Sequence, residues 1–222
     1  VKLKSLSNKK NIEGMVRFGI NKKGTLGVSV VALRKIGREI RKDSSYKNKP
    51  ELLHKLALRL WDSNIHEARL LAGFIDIPSL VTHKQIEKYV ASFDSWDICD
   101  QLCIFLSKTP MAYSRIGKWS REEEEFVRRA GFVMMAVRAV HDKTAIDQEF
   151  EKYFPLIIRY STDERNFVKK AVNWALRQIG KRNPSLRIKA IAVAEEILKK
   201  HASSSSARWI ARDALRELKK YL

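Results

Sequence analysis

Trp96, Asp97 and Asp100 stand in the run FDSWDICDQLC, and their types and spacing suit chemistry better than any other cluster in the chain. On a helix, positions 96 and 100 are one turn apart and share a face, so an indole lies beside a carboxylate. A desolvated carboxylate can stabilise positive charge that develops as a bond breaks, and it can also orient an attacking water. The indole face supports the same charge, because its ring quadrupole attracts a cation by about 0.5–2 kcal/mol depending on desolvation. The surrounding chain carries a formal net charge of +19. In so basic a protein, a carboxylate in the binding region costs affinity for a polyanion, which marks Asp100 as a candidate catalyst.

Other chemistries find little support. The histidines at positions 54, 66, 83, 141 and 201 form no H-E-x-x-H pattern, and Cys99 and Cys103 lack histidine neighbours, so no metal is expected. Gly24 and Gly27 do not make a phosphate loop and no strand precedes them, so no nucleotide cofactor is expected, nor any other cofactor. No lysine stands beside Asp100 in sequence, which favours hydrolysis over attack by an amine. Cys99 and Cys103, four apart on one helix, are poorly placed for a disulfide and are expected as buried thiols in a reducing cytoplasm. The sequence lacks an apolar run of about 18 residues and an apolar leader, so a cytoplasmic protein without membrane contact is expected.

The elements that must position these residues are helical. From about Ser29 onward the apolar spacing is that of helices, as in Val133, Val137 and Val140, or Ile188, Ile191, Ala192 and Ala194. The expected helices are 12–18, 29–42, 50–61, 65–75, 83–91, 96–107, 120–140, 146–160, 163–181, 184–200 and 207–221. Start signals are Ser120 before REEEEF, Thr162 before DERNF, Pro184 and Ser185 before LRIKAIAVAEEILKK, and Ser206 before ARWIARDALREL. No convincing strand is present, and the fold class is all-α. With 222 residues, 45% of them hydrophobic, and no long Gly/Ser/Pro-rich break, one domain over 1–222 is the simplest expectation. The first eleven residues, VKLKSLSNKKN, are compatible with an ordered arm, a flexible tail or an appended tag.

Charge is segregated along the chain. Residues 1–49 hold 14 basic against 3 acidic side chains, and residues 165–222 hold 15 against 4, whereas residues 50–164 hold 15 against 18. Two blocks of +11 thus flank a middle of −3. Lysine-rich helices facing solvent would account for the total, but a protein that grips a polyanion backbone needs cationic surface on both sides of the place where it works. Nucleic acid is the expected partner.

A weak repeat narrows the architecture. Phe126-Val127-Arg128-Arg129-Ala130, Phe167-Val168-Lys169-Lys170-Ala171 and, more loosely, Trp209-Ile210-Ala211-Arg212 recur about every 40 residues. That is the length of a HEAT or armadillo unit, in which helix pairs stack and bury their apolar faces against neighbours. The expectation is a curved α-solenoid of HEAT-like repeats with a concave basic groove; an ordinary helical bundle is the alternative.

With these segments in hand, the chain resembles the AlkD-type DNA alkylation-repair glycosylases, which are built of HEAT-like repeats. SWDICD at 95–100 is similar to that family's tryptophan–aspartate segment, FVRRAGF at 126–132 to its arginine segment, and FVKKAVNWALRQIGKRNP at 167–184 to its second tryptophan helix. LWDSNIHEARLLAGFI at 60–75 is in the same style. The resemblance implies that Asp100 is the catalytic carboxylate, that Trp96 and Trp174 frame the lesion-bearing nucleotide and that Arg129 contacts the backbone. It also implies an aromatic residue near the N-terminus, usually tyrosine, for which MVRFGI offers Phe18. Lys169, Lys170 and Arg177 complete the expected DNA contacts. The implied activity is hydrolysis of the glycosidic bond of alkylated purines such as 3-methyladenine and 7-methylguanine in double-stranded DNA, by a monomer. Many glycosylases extrude the base; this family is known for leaving it largely stacked, and the sequence does not distinguish the two.

Plainer roles compete for several of these residues. Trp61, Trp119 and Trp209 read as core. Asp97 suits a helix start, where acids are favoured. At most one of Arg128 and Arg129 enters a groove, the other pairing with Glu122 to Glu125, which themselves read as a solvated helix start. Glu67 and Arg69 read as ties between helices. At the level of the whole chain, a non-catalytic DNA-binding solenoid that recognises damaged or distorted duplex competes with the enzyme, and a scaffold for an acidic protein or RNA is a further alternative.

Overall fold

Asn8, Ser29, Thr82, Asn183 and Ser204 each accept a hydrogen bond from the backbone N–H three residues on, and each opens a helix. In the computed structural model, which describes residues 2–221, the helices run in the order α1 Lys2–Ser5, α2 Lys9–Arg17, α3 Val30–Lys42, α4 Pro50–Trp61, α5 His66–Ile75, α6 His83–Ala91, α7 Trp96–Leu106, α8 Ile116–Trp119, α9 Glu125–His141, α10 Gln148–Glu151, α11 Phe154–Tyr160, α12 Asn166–Lys181, α13 Pro184–Lys200 and α14 Ser205–Leu218. No strand occurs among the described residues. The fold class is all-α, as the spacing predicts, and residues 2–5 and 9–17 of the N-terminal segment are helical.

Four local expectations are corrected. The helix expected over 146–160 is two, because Pro155 has no N–H to return to Glu151 and its ring crowds that carbonyl; α10 accordingly ends at Glu151. Ser120 closes α8 instead of opening α9, its hydroxyl donating to the Ile116 carbonyl at 2.7 Å. Thr162 precedes a loop, and α12 starts only after Arg165. Ser206 is buried and donates to the Asp163 carbonyl at 2.8 Å, so the cap of α14 passes to Ser204. The reason lies in Glu164, whose carboxylate accepts from the hydroxyls of Ser204 and Ser205 and from the Ser206 N–H, binding the serine tract to the loop before α12.

The chain divides into two compact units between Pro110 and Met111. In the first, α5 is the central element: it packs against α3, α4 and α7, and His66 to Ala72 are all buried. Its partner α7 buries Ile98, Cys99, Leu102, Cys103 and Leu106 completely. Both cysteines are free thiols, as expected. Trp61, in the core as expected, stacks on Tyr89 at 3.8 Å between ring centroids.

In the second unit α12 is central, packed on α9, α13 and α14. Here the repeat becomes physical. Val127, Val168 and Ile210 are equivalent buried positions, and the Phe126 and Phe167 rings meet at 5.4 Å. Val168, Val172, Leu176 and Ile179 are fully buried on α12, and each large aliphatic so placed contributes about 1.5–3 kcal/mol. On α13 the buried stripe runs through Leu186, Ala190, Val193 and Ile197, while Ile188 faces solvent.

Candidate nucleic-acid site

The start of α7 carries the residues singled out by their spacing, and three separate ties fix it. Trp96 is the first helical residue and half-buried; its Nε1–H donates to the Phe18 carbonyl at 3.0 Å, 78 residues away. Phe18 closes α2, followed by Gly19 at φ 81°, and is itself 73% exposed. The sequence thus places an aromatic residue near Trp96, and the bond that joins them comes from the Phe18 backbone.

Asp97 is buried, and its carboxylate meets the His66 Nε2 at 2.8 Å and the Ile98 N–H at 2.9 Å. Burial pushes this carboxyl upward, but the His66 and Ile98 hydrogen bonds together hold it below its ordinary value. Asp97 does lie in the first turn, as expected of a helix-start acid, yet its carboxylate also joins α7 to α5.

The third tie is Arg69. It donates to Asp94 at 2.9 Å and to the Ser92 carbonyl, and its guanidinium lies 4.5 Å from the Trp61 ring centroid. Burial lowers its affinity for the proton, and the Asp94 and Asp97 charges oppose this. The loop before α7 is thereby clasped to α5. Glu67, 0% exposed, accepts from the N–H groups of Leu26, Gly27 and Val28, with the Gly27 bond at 2.7 Å. Gly24 and Gly27 both have φ of 79°, a region that favours glycine. A Cβ on Gly24 would meet the Asn64 carbonyl oxygen at 2.5 Å, and one on Gly27 would strike that of Asn8. The tying role expected of Glu67 and Arg69 holds, though Glu67 grips a turn and not a helix.

Asp100 lies one turn beyond Trp96, half-buried and engaged within the protein. Trp96 and Asp100 therefore share an accessible helix face whose origin is held by Phe18, His66 and Arg69.

In the second unit, Trp174 is half-buried on α12 beside Asn173, which is buried and donates to the Ile210 carbonyl at 3.1 Å. Arg129 is 6% exposed and donates to the Phe167 carbonyl at 2.6 Å. Its neighbour Arg128 pairs with Asp163 at 2.7 Å and lies over Tyr160, so the expected pairing with Glu122 to Glu125 gives way to one with the loop before α12. Lys170 is exposed; Lys169 lies with its Nζ 5.5 Å from the Trp209 ring centroid; Arg177 is tied to Glu217 and Asp213 of α14. Trp119 is core as expected, but Trp209 is 41% exposed, because the buried face of α14 runs through Ala207, Ile210, Ala211 and Ala214.

His66 is the residue that sequence reasoning missed. It was visible only as a histidine outside any metal pattern, and nothing in sequence joins it to a carboxylate 31 positions away. Among the described residues no group of three His, Cys, Asp or Glu side chains is arranged to hold a metal ion, and no helix is long and apolar enough to cross a membrane.

Comparisons with known proteins point to a family and a fold. A family model described as DNA alkylation repair enzyme matches residues 1–218. No curated protein matches the chain significantly. A solved structure superposes with a TM-score of 0.74 over 88% of this chain and 80% of its own, at 18% sequence identity. That protein is described as one of a new family related to the HEAT-like repeat DNA glycosylases, with affinity for branched DNA structures. The two chains share a fold.

Proposed function

The chain belongs to the DNA alkylation repair enzyme family, and from that premise we propose that it is a DNA N-glycosylase acting on positively charged alkylated purines in duplex DNA. The observation that carries the reading is the start of α7, where an accessible indole and a carboxylate share one face and the helix origin is fixed by three long-range ties.

A purine alkylated at N3 or N7 bears a formal positive charge and leaves as a neutral base, so it needs no proton from the protein. As the glycosidic bond breaks, its electron pair goes to the departing base and positive charge develops on the deoxyribose. The Asp100 carboxylate is assigned the stabilisation of that charge, worth most where water is excluded. It also orients the water whose oxygen bonds to the sugar carbon, the released proton passing to solvent or to the carboxylate. The Trp96 face favours the cationic nucleotide by about 0.5–2 kcal/mol, and Trp174 is assigned contact with the same nucleotide. The product is an abasic site and a free base. Arg129, Phe18, Lys169, Lys170 and Arg177 are proposed DNA contacts; the ion pairs that hold Arg177 would have to open for it to serve. The protein is proposed to act as a monomer and in the cytoplasm.

The deciding experiment is release of 3-methyladenine or 7-methylguanine from methylated duplex, resolved chromatographically, by the wild type and by Asp100→Asn. Release by the first and not the second supports the reading. A second reading, DNA recognition without cleavage, draws on the affinity of the superposed protein for branched DNA. Tight duplex binding by both proteins with release by neither would favour it.

A further inference from the structure

Unit one holds a second concentration of charge, away from Trp96. Arg34, Arg38 and Arg41 follow one another on α3, Lys108 lies just past the end of α7, and all four line an open cleft of about 590 Å³ with Phe74 among its other walls. Three of them come from the basic block of residues 1–49.

What sets this cleft apart is how little neutralises it. Arg34 donates to a neutral amide, the Gln101 Oε1 at 3.3 Å, and its guanidinium lies 5.5 Å from the Phe74 ring centroid. Arg41 donates to the carbonyls of Phe74 and Asp76. The Arg38 guanidinium and Lys108 ammonium have no hydrogen-bond or ion-pair partner among the described residues. The one acid in the lining, Asp76, is buried and both its oxygens are taken, Oδ1 by His54 at 2.6 Å and the Ile77 N–H at 2.7 Å, Oδ2 by Gln85 at 2.8 Å. Like charges one helical turn apart repel one another even in water. The arrangement therefore costs stability unless an anion enters.

We propose that the cleft grips phosphodiester groups of the DNA strand, a few nucleotides from the one that meets Asp100. The inference rests on the DNA reading above. Phosphate fits better than a base, because the charged groups lining the cleft are guanidinium and ammonium donors, and one face of the Phe74 ring already carries Arg34. Position follows from α7: Gln101 in the lining is the residue after Asp100. At 1.5 Å per residue Ile104 lies about 6 Å and Lys108 about 12 Å further along. A strand running along α7 would cover that span in roughly two to four base steps of about 3.4 Å.

The test is a salt series of duplex binding by the wild type, by Arg38→Gln/Lys108→Gln and by Lys199→Gln/Lys200→Gln, the last removing equal charge from the C-terminal end of α13. Thermal melts confirm folding. The cleft variant is expected to bind undamaged duplex roughly tenfold more weakly at low salt, with the log–log salt slope reduced by about 0.9 per lost contact, so by close to two. On a duplex with one non-cleavable alkylpurine analogue to set the register, single methylphosphonates, which remove one backbone charge, should weaken wild-type binding most at two to four nucleotides from the analogue, and this position dependence should vanish in the cleft variant. An unchanged slope, an equal loss in the control, or stronger competition by RNA or polyglutamate than by duplex would overturn the proposal. Because undamaged duplex is the ligand of the salt series, the cleft is judged separately from glycosylase activity. A reduced slope in a protein that releases no base would leave the cleft standing and remove the enzyme.

Discussion

The imidazole of His66 lies 2.8 Å from the carboxylate of Asp97, three residues before Asp100 on the same helix. Adjacent in sequence, Glu67 accepts three backbone N–H groups from the turn at residues 26–28. Two neighbouring side chains at the start of α5 thus hold the N-terminal turn with one hand and the helix that carries Asp100 with the other.

That first pair has an acid signature. Asp97 lies lower in the folded chain than its ordinary value of 3.8, so it stabilises the fold fully above that value and loses the contribution as pH falls through its folded value. Asp97→Asn is expected to lower stability near neutrality by about 1–3 kcal/mol, or roughly 2–4 °C of Tm per kcal/mol, and to flatten the fall of Tm below about pH 4. Calorimetric melts from pH 2.5 to 7 check this, and parallel curves for variant and wild type would count against it.

Asp100→Asn should abolish base release by at least about a hundredfold, as loss of a single electrostatic stabiliser does elsewhere. Duplex affinity should stay level or rise, since a negative charge is removed from the proposed DNA-binding face. Single-turnover release and equilibrium binding on one duplex separate the two effects.

Trp96→Phe keeps a ring and deletes the N–H that reaches Phe18. Loss of one such bond, about 0.5–1.5 kcal/mol, should speed hydrogen exchange of the amides in α2 and the turn behind it by roughly two- to tenfold. Unchanged exchange over residues 9–20 would show that the bond does not anchor this segment.

Glu67→Gln replaces an all-acceptor carboxylate with a group whose NH2 faces backbone donors, at an expected cost of about 1–3 kcal/mol. Gly27→Ala forces a Cβ into the Asn8 carbonyl at a left-handed backbone position, and should cost at least about 1 kcal/mol. Chemical denaturation of both variants measures each.

Much of the fold was legible because its signals are local. Apolar spacing and capping residues place α3 to α7 within a residue or two, and the Phe126 and Phe167 positions mark a register that the ring contact realises. Two slips were local, at Pro155 and at Ser120; in the others a distant partner had outcompeted a local one. Glu164 draws in the serines before α14, and Asp163 takes Arg128. Trp209 shows a related limit: periodicity says that a tryptophan lies on a helix, but which face is buried depends on neighbours the sequence does not name. At the candidate site, Trp96, Asp97 and Asp100 stood out by type and spacing. His66 and the cleft around Arg38 did not, although the i, i+4 spacing of Arg34 and Arg38 within the first basic block was a readable sign.

Cys99 and Cys103 flank Asp100 on α7 with no exposed surface. A thiol reagent can reach them only when that helix parts from its neighbours, so the rate of labelling is a clock for opening of the segment that presents the carboxylate. The protein thereby carries its own probe of whether duplex DNA steadies that helix, without an introduced label and without reference to turnover.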